Sequence, residues 1–516
     1  MTAPAAQAIR GAYIATPDDY PADHPLAPIL RDTPWGRSIT QAAINAAVSP
    51  EGLLFRALQM ILSHLGPQVV LPPIGGAGTA FGSINMLTLL VGPSGAGKSS
   101  LAAAAEGVIR LQPIYDRHGD NAPWPTEFEP ENISGLASGQ ALGAAVQTLV
   151  TEVKNRETGS TEQEVEQPCD RVSVTIDEGN AFLATSSASG SILKETITTA
   201  VTGGSLSTKR AARSESRNAP ALSYTAQVAI FIQDALVAPF FEMDGLGLTQ
   251  RLLFASAQPD LDLDAPVVPV TPVTVEVPVY WMQKLDRTEA PERGFGSREH
   301  EGMRCTIKVA DEVAAEVRRN RLAAGRRDSE GSSLDTHQDL LRLKVAVPLA
   351  LLTGQFSITP DVWELAGHII AYSRAERARL MAQSEGMATA AAAEQEARRL
   401  DARAAAEETL EERRTARQKP RVLELVQAGG ENGVSSADLT TALHGALSGR
   451  KRSDGSTARA DAMAALSKLV EEGAVIAQGH RYYDAAHAPA PLLSFAEAQR
   501  KRDAAWEATL DASDFI

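Results

Sequence analysis

The chain has 516 residues, 44% of them apolar, enough for large buried cores and for about two to four domains. Its 49 Lys and Arg against 64 Asp and Glu give a formal charge of −15, which excludes a generally attractive field for nucleic acid and leaves only local basic patches for such contacts. Cys169 and Cys305 are the two cysteines, distant in sequence and without metal-ligand spacing, so neither a disulfide framework nor a zinc site is implied and a reducing, cytoplasmic setting fits.

Residues 1–35 carry scattered Pro and Asp and read as an extended arm without a signal-peptide pattern, and no run of about 18 apolar residues follows anywhere, so no membrane role is expected. Over 38–65 the apolar spacing suits helices. The apolar runs "MLTLLVG" (86–92), "RVSVTIDEG" (171–179), "AQVAIFIQ" (226–233) and "QRLLFASA" (250–257) alternate with helical stretches at 98–110, 138–153 and 190–202. Strands buried on both faces and separated by helices predict an α/β fold with a parallel sheet, here assigned to a core over 36–300. Two insertions interrupt it: the charged segment 154–168 reads as a loop, and 267–285 alternates like an edge hairpin.

Residues 301–385 return to helical spacing and predict a helical lid. Residues 386–419, rich in Ala, Glu and Arg without an apolar seam, read as a solvated linker helix rather than a coiled coil. Residues 420–485 give helix, helix opened by Ser435 or Ser436, helix and a two-stranded wing, the order of a winged helix-turn-helix, before a tail over 486–516.

The stretch "GPSGAGKS" fits G-x-x-x-x-G-K-[ST] and stands between an apolar strand and a helix, as a phosphate-binding P-loop requires. The candidate nucleotide-binding residues are Gly92, Pro93, Ser94, Gly95, Ala96, Gly97, Lys98, Ser99 and Ser100. Glycines let backbone N–H groups approach phosphate oxygens at the positive end of the following helix. Lys98 would neutralise the β- and γ-phosphates of ATP, and Ser99 with Asp177 would hold Mg²⁺. Glu178, pointing elsewhere because strand side chains alternate, is the candidate base for the attacking water. Gln233, at the end of the third long strand, would sit between the γ-phosphate and that water, or is an ordinary strand-end amide. Arg251, after a glycine-rich turn, is read as a finger reaching a neighbouring subunit or as a partner in a salt bridge at the sheet edge. Arg342 is read as a phosphate-sensing arginine of the lid or as solvated helix surface.

Together, the GPSGAGKS loop, "IDEGNAF", the basic loop, the Gln-ended strand and "GLGLTQRLLFASAQP" resemble a P-loop ATPase family from bacteria, phages and plasmids, often described as primase/helicase-associated. The segment "LLRLKVAVPLALLTGQFSITPDVWELA" is similar to the lid of AAA+ replicative helicases of the minichromosome-maintenance type. The resemblance covers about residues 38–380 and implies an ATP-driven motor, working as a ring homo-oligomer with replication proteins, or a regulatory ATP switch that binds a protein partner. For DNA, the candidate contacts are Lys209, Arg210, Arg213 and Arg217 in a loop between motifs, and Arg450, Lys451 and Arg452 beside the third helix of the winged unit.

Overall fold

The computed structural model describes residues 13–73, 81–93, 95–114, 129–136, 138–147, 149–154, 161–166, 169–187, 191–206, 219–241, 247–282, 304–324, 337–447, 451, 456–488 and 497–504. The chain divides into two compact units, Met1–Met387 and Ala388–Ile516.

The first unit is built on five parallel strands: β1 (Met86–Val91), β2 (Glu131–Ser134), β3 (Arg171–Ile176), β4 (Thr225–Ile232) and β5 (Leu252–Ser256). Their order across the sheet is β2-β3-β4-β1-β5. Every residue of β1 and β4 is buried, which is why these central strands read as unbroken apolar runs. The expected parallel α/β sheet is therefore present. Alternation along the strands separates two cores. On one face Met86, Leu90, Ala229, Phe231, Leu253 and Ala255 pack under helices α1 (Pro34–Ala46), α2 (Pro50–Ser63) and α3 (Lys98–Val108). On the other face Leu87, Leu89, Val174, Ile176, Val228 and Ile230 meet α4 (Gly179–Ser187) and α5 (Leu193–Thr202) through Phe182, Leu193 and Ile197.

Several expectations are corrected. Tyr20, Leu26, Ile29 and Leu30 of the expected arm are fully buried in the first core, because the prolines and aspartates there make short turns, Pro17–Asp19 and Ala27–Leu30, rather than open chain. The expected helix at 138–153 stops at Ala145; Leu149–Lys154 then pairs antiparallel with Thr161–Glu166, so the arms of the expected charged loop form a hairpin. In place of a hairpin at 267–285, the single strand Val273–Pro278 pairs in parallel with Ile109–Ile114.

The lid region supplies α6 (Gln338–Leu352) and the start of α7 (Pro360–Gln427), one continuous helix of 68 residues that runs through the expected lid, linker and first winged segment. Tyr372 and Ser373 of α7 cover the open edge of β5: Phe254 N donates to Ser373 Oγ at 2.7 Å and Ser256 N to Tyr372 Oη at 3.0 Å. These contacts satisfy N–H groups that an edge strand would otherwise expose. Residues 385–413 of α7 are exposed throughout, as expected of a solvated helix.

The second unit has its own core of Val422, Val426, Leu439, Leu443, Leu466, Leu469 and Val475. The end of α7 is followed by Val434–Ser435, α8 (Ser436–Ala446), α9 (Ala458–Glu471) and the strands Val475–Gln478 and Arg481–Asp484, which form a three-stranded antiparallel sheet. Ser435 opens α8, its Oγ accepting from Asp438 N at 3.0 Å. Among the described residues no helix is long and apolar enough to cross a membrane.

Candidate functional site at the carboxyl edge of the sheet

Because all five strands run the same way, whatever follows their last residues gathers along one edge. The chain leaves β1 towards β2 and returns beyond it as β5, so β1 is the point at which the sheet's winding reverses and a crevice opens. The 92–99 loop lies there, tied to the neighbouring strand by Gly92 N donating to Ile232 O at 3.0 Å. Gly95 and Gly97 take φ of +88° and +72°, which disfavours side chains, and a Cβ on Gly97 would come within 2.9 Å of Val48 Cγ1. Gly97, having no side chain, caps α3 without a side-chain hydrogen bond of its own. Gly95, Ser99 and Ser100 are exposed along this turn, and Ala96 is buried beneath it. Ser94 and the side chain of Lys98 lie outside the described residues.

Asp177 and Glu178 follow β3 and are both exposed at this edge. They are held close to β4 because the next residue is glycine: a Cβ on Gly179 would stand 2.9 Å from Phe231 O. Gln233 follows β4, also exposed, one residue beyond the carbonyl that fixes Gly92. The sheet thus brings together the 92–99 loop, Asp177, Glu178 and Gln233, with β4 lying between β1 and β3.

Arg251 is not part of this gathering. It precedes β5 and so stands at the opposite, amino edge, about 17 Å away along a five-residue strand. There its Nη1 donates to Gly247 O at 2.6 Å, while Nε is buried with no hydrogen-bond partner among the described residues, and burial lowers its pKa. Arg342 is also committed elsewhere. Its Nε and Nη2 donate to Trp363 O, its guanidinium stacks 3.8 Å from the Trp363 ring, and it pairs with Glu316 at 3.2 Å. The reading of Arg342 as solvated surface or phosphate sensor gives way to a contact that joins α6 to α7.

Two arginines at the carboxyl edge escaped the sequence reading. Arg379 of α7 is bidentate to Glu376 and reaches within 3.7 Å of Asp234, the residue after Gln233. Arg56 of α2 lies against β3, with Nη2 donating to Thr175 Oγ1 at 3.4 Å and Nη1 to Gln59 Oε1 at 3.3 Å. Burial lowers its pKa, opposed by the charges of Asp177 and Glu106. The signal for Arg56 was its position as the one Lys, Arg, Asp or Glu between Glu51 and His64.

The basic loop with Lys209, Arg210, Arg213 and Arg217 lies outside the described residues, but its flanks are joined by Leu206 N donating to Ala219 O at 2.9 Å, on the approach to the amino end of β4. In the second unit Lys451 is exposed, and Arg450 and Arg452 lie outside the described residues. Cys169 and Cys305 are free thiols; burial pushes Cys169 up to about 11, which rules it out as a thiolate nucleophile near neutral pH. No protein-family model matches this chain, and no curated protein matches it in sequence.

Proposed function

We propose that the protein is a P-loop ATPase that acts on DNA as a helicase or translocase within a ring of identical subunits, and that its second unit is a winged helix. The observation that carries the ATPase reading is the convergence, at one sheet edge, of a glycine loop leading into a helix N-terminus capped by Gly97 with Asp177, Glu178 and Gln233. The backbone N–H groups of α3 would cradle the phosphates, and Lys98 would supply their counter-charge. Glu178 would accept the proton of the attacking water, and Gln233 would hold that water in line.

The donor set fits Mg²⁺. Ser99 and Asp177 offer a hydroxyl and a carboxylate, both hard oxygen ligands, at the same edge of the sheet. Bound there, Mg²⁺ would neutralise charge developing on the phosphate oxygens.

Arg251, a strand length from its own subunit's loop, would serve a phosphate only on a second copy, which favours a ring. DNA contacts would come from Lys209, Arg210, Arg213 and Arg217 and from the basic residues at 450–452. The alternative, a regulatory ATP switch docking a protein partner, is favoured by one feature of α9: Arg459 donates to His444 O and Leu447 O and is thereby turned inward, while Met463 is exposed. Steady-state ATPase rates with and without single-stranded DNA separate the two. A DNA-dependent increase is expected; a rate indifferent to DNA would overturn the motor reading and leave the switch.

A further inference from the structure

The Arg56 guanidinium is half-buried, two residues in sequence from a metal-ligand candidate through its contact with Thr175, and poorly satisfied. Among the described residues its two hydrogen bonds are long, 3.3 and 3.4 Å, and its Nε is buried with no hydrogen-bond partner. A partly desolvated cation so placed is unfavourable unless nearby negative charge offsets it. The fold supplies that charge. Thr175, which Arg56 contacts, lies on the face of β3 turned to α2, and Asp177 follows two residues later, just past the end of the strand. Glu106, on α3, is the second carboxylate whose charge acts on Arg56. Gln59, the other contact of Arg56, is fixed in turn by its Nε2 donating to Val228 O of β4 at 2.9 Å. The guanidinium thus touches β3 directly and β4 through Gln59.

We propose that Arg56 is a positioning residue of the nucleotide site: a fixed cation that offsets the Asp177 carboxylate in the metal-free protein, attracts phosphate and opposes the entry of a divalent cation. The inference rests on the nucleotide-site reading above. It sets the balance between metal-free and metal-loaded nucleotide binding, because the same charge acts with opposite sign on phosphate and on Mg²⁺.

Arg56→Gln therefore changes two affinities in opposite directions. ATP binding in EDTA weakens, Mg²⁺ binding tightens, and the ratio of ATP Kd in EDTA to that in Mg²⁺ rises by about fivefold or more. Arg56→Lys keeps the charge and returns the ratio towards wild type. A purely structural role for Arg56 would weaken both affinities together and leave the ratio unchanged, which overturns the proposal. A second readout uses Mg²⁺ alone: its effect on melting temperature is larger in Arg56→Gln than in wild type, and the difference disappears when both carry Asp177→Asn. Equal shifts overturn the proposal even if the wild type binds no ATP, a result that would separately overturn the nucleotide-site reading. If Arg56→Gln does not fold, Glu106→Gln at an exposed position serves instead. Removing that negative charge lowers the Kd ratio, and an unchanged or raised ratio overturns the proposal.

Discussion

Lys344 holds a potential cation where water does not reach. Its Nζ donates to Asn85 O at 2.7 Å and Val201 O at 2.6 Å, tying α6 to the approach to β1 and to the end of α5. Two acceptors match the two N–H bonds of a neutral amine, and burial, with the charge of Arg251 nearby, lowers its pKa from 10.5 to about 7. Between those values the unfolded chain keeps a proton that the folded chain has released, so the Lys344 contribution to stability rises with pH across that window. Below about pH 7 the fold carries the buried charge. Lys344→Met removes the titration, so the melting temperature of wild type relative to that variant is expected to climb from pH 7 towards pH 10. A difference independent of pH would contradict this account.

At the scale of elements, the sheet is closed on the β5 side by hydroxyl groups rather than by another strand. Ser373→Ala leaves the buried Phe254 N–H without its partner, costing about 1 to 3 kcal/mol, and urea unfolding is expected to show a lowered midpoint. An unchanged midpoint would mean that water or a shifted backbone replaces the hydroxyl. Sequence reading succeeds and fails here for definite reasons. β1, β3, β4 and β5 were legible because inner strands produce long apolar runs; β2, with "ENIS" mostly exposed at the other sheet edge, carries no such run. The continuity of α7 was hidden because its composition changes from apolar stripe to Ala, Glu and Arg while the backbone remains helical. The 92–99 loop, Asp177, Glu178 and Gln233 were legible because each follows a strand and parallel strands share an edge. Arg342 and Arg379 could not be told apart, since both lie on amphipathic helices and only threading decides which end of the sheet each approaches. Packing of Tyr20 and Leu26 into the core has no periodic signature at all.

For the whole molecule, the proposed motor needs nucleotide chemistry at one sheet edge and, from a second copy, Arg251 at the other. Mixing Arg251→Ala protein with Glu178→Gln protein is expected to restore part of the ATPase activity that each lacks, because mixed rings contain some interfaces with both groups intact. No recovery, with subunit exchange demonstrated, would confine Arg251 to the contact it makes with Gly247 in its own chain. Every such argument depends on the 92–99 loop taking a nucleotide. Isothermal titration of Mg·ATP into wild type and Lys98→Ala tests this most directly. Saturable one-site binding to wild type, abolished in the variant while its melting temperature in the absence of nucleotide is unchanged, is the predicted result; no binding to wild type, or equal binding to both, would contradict it.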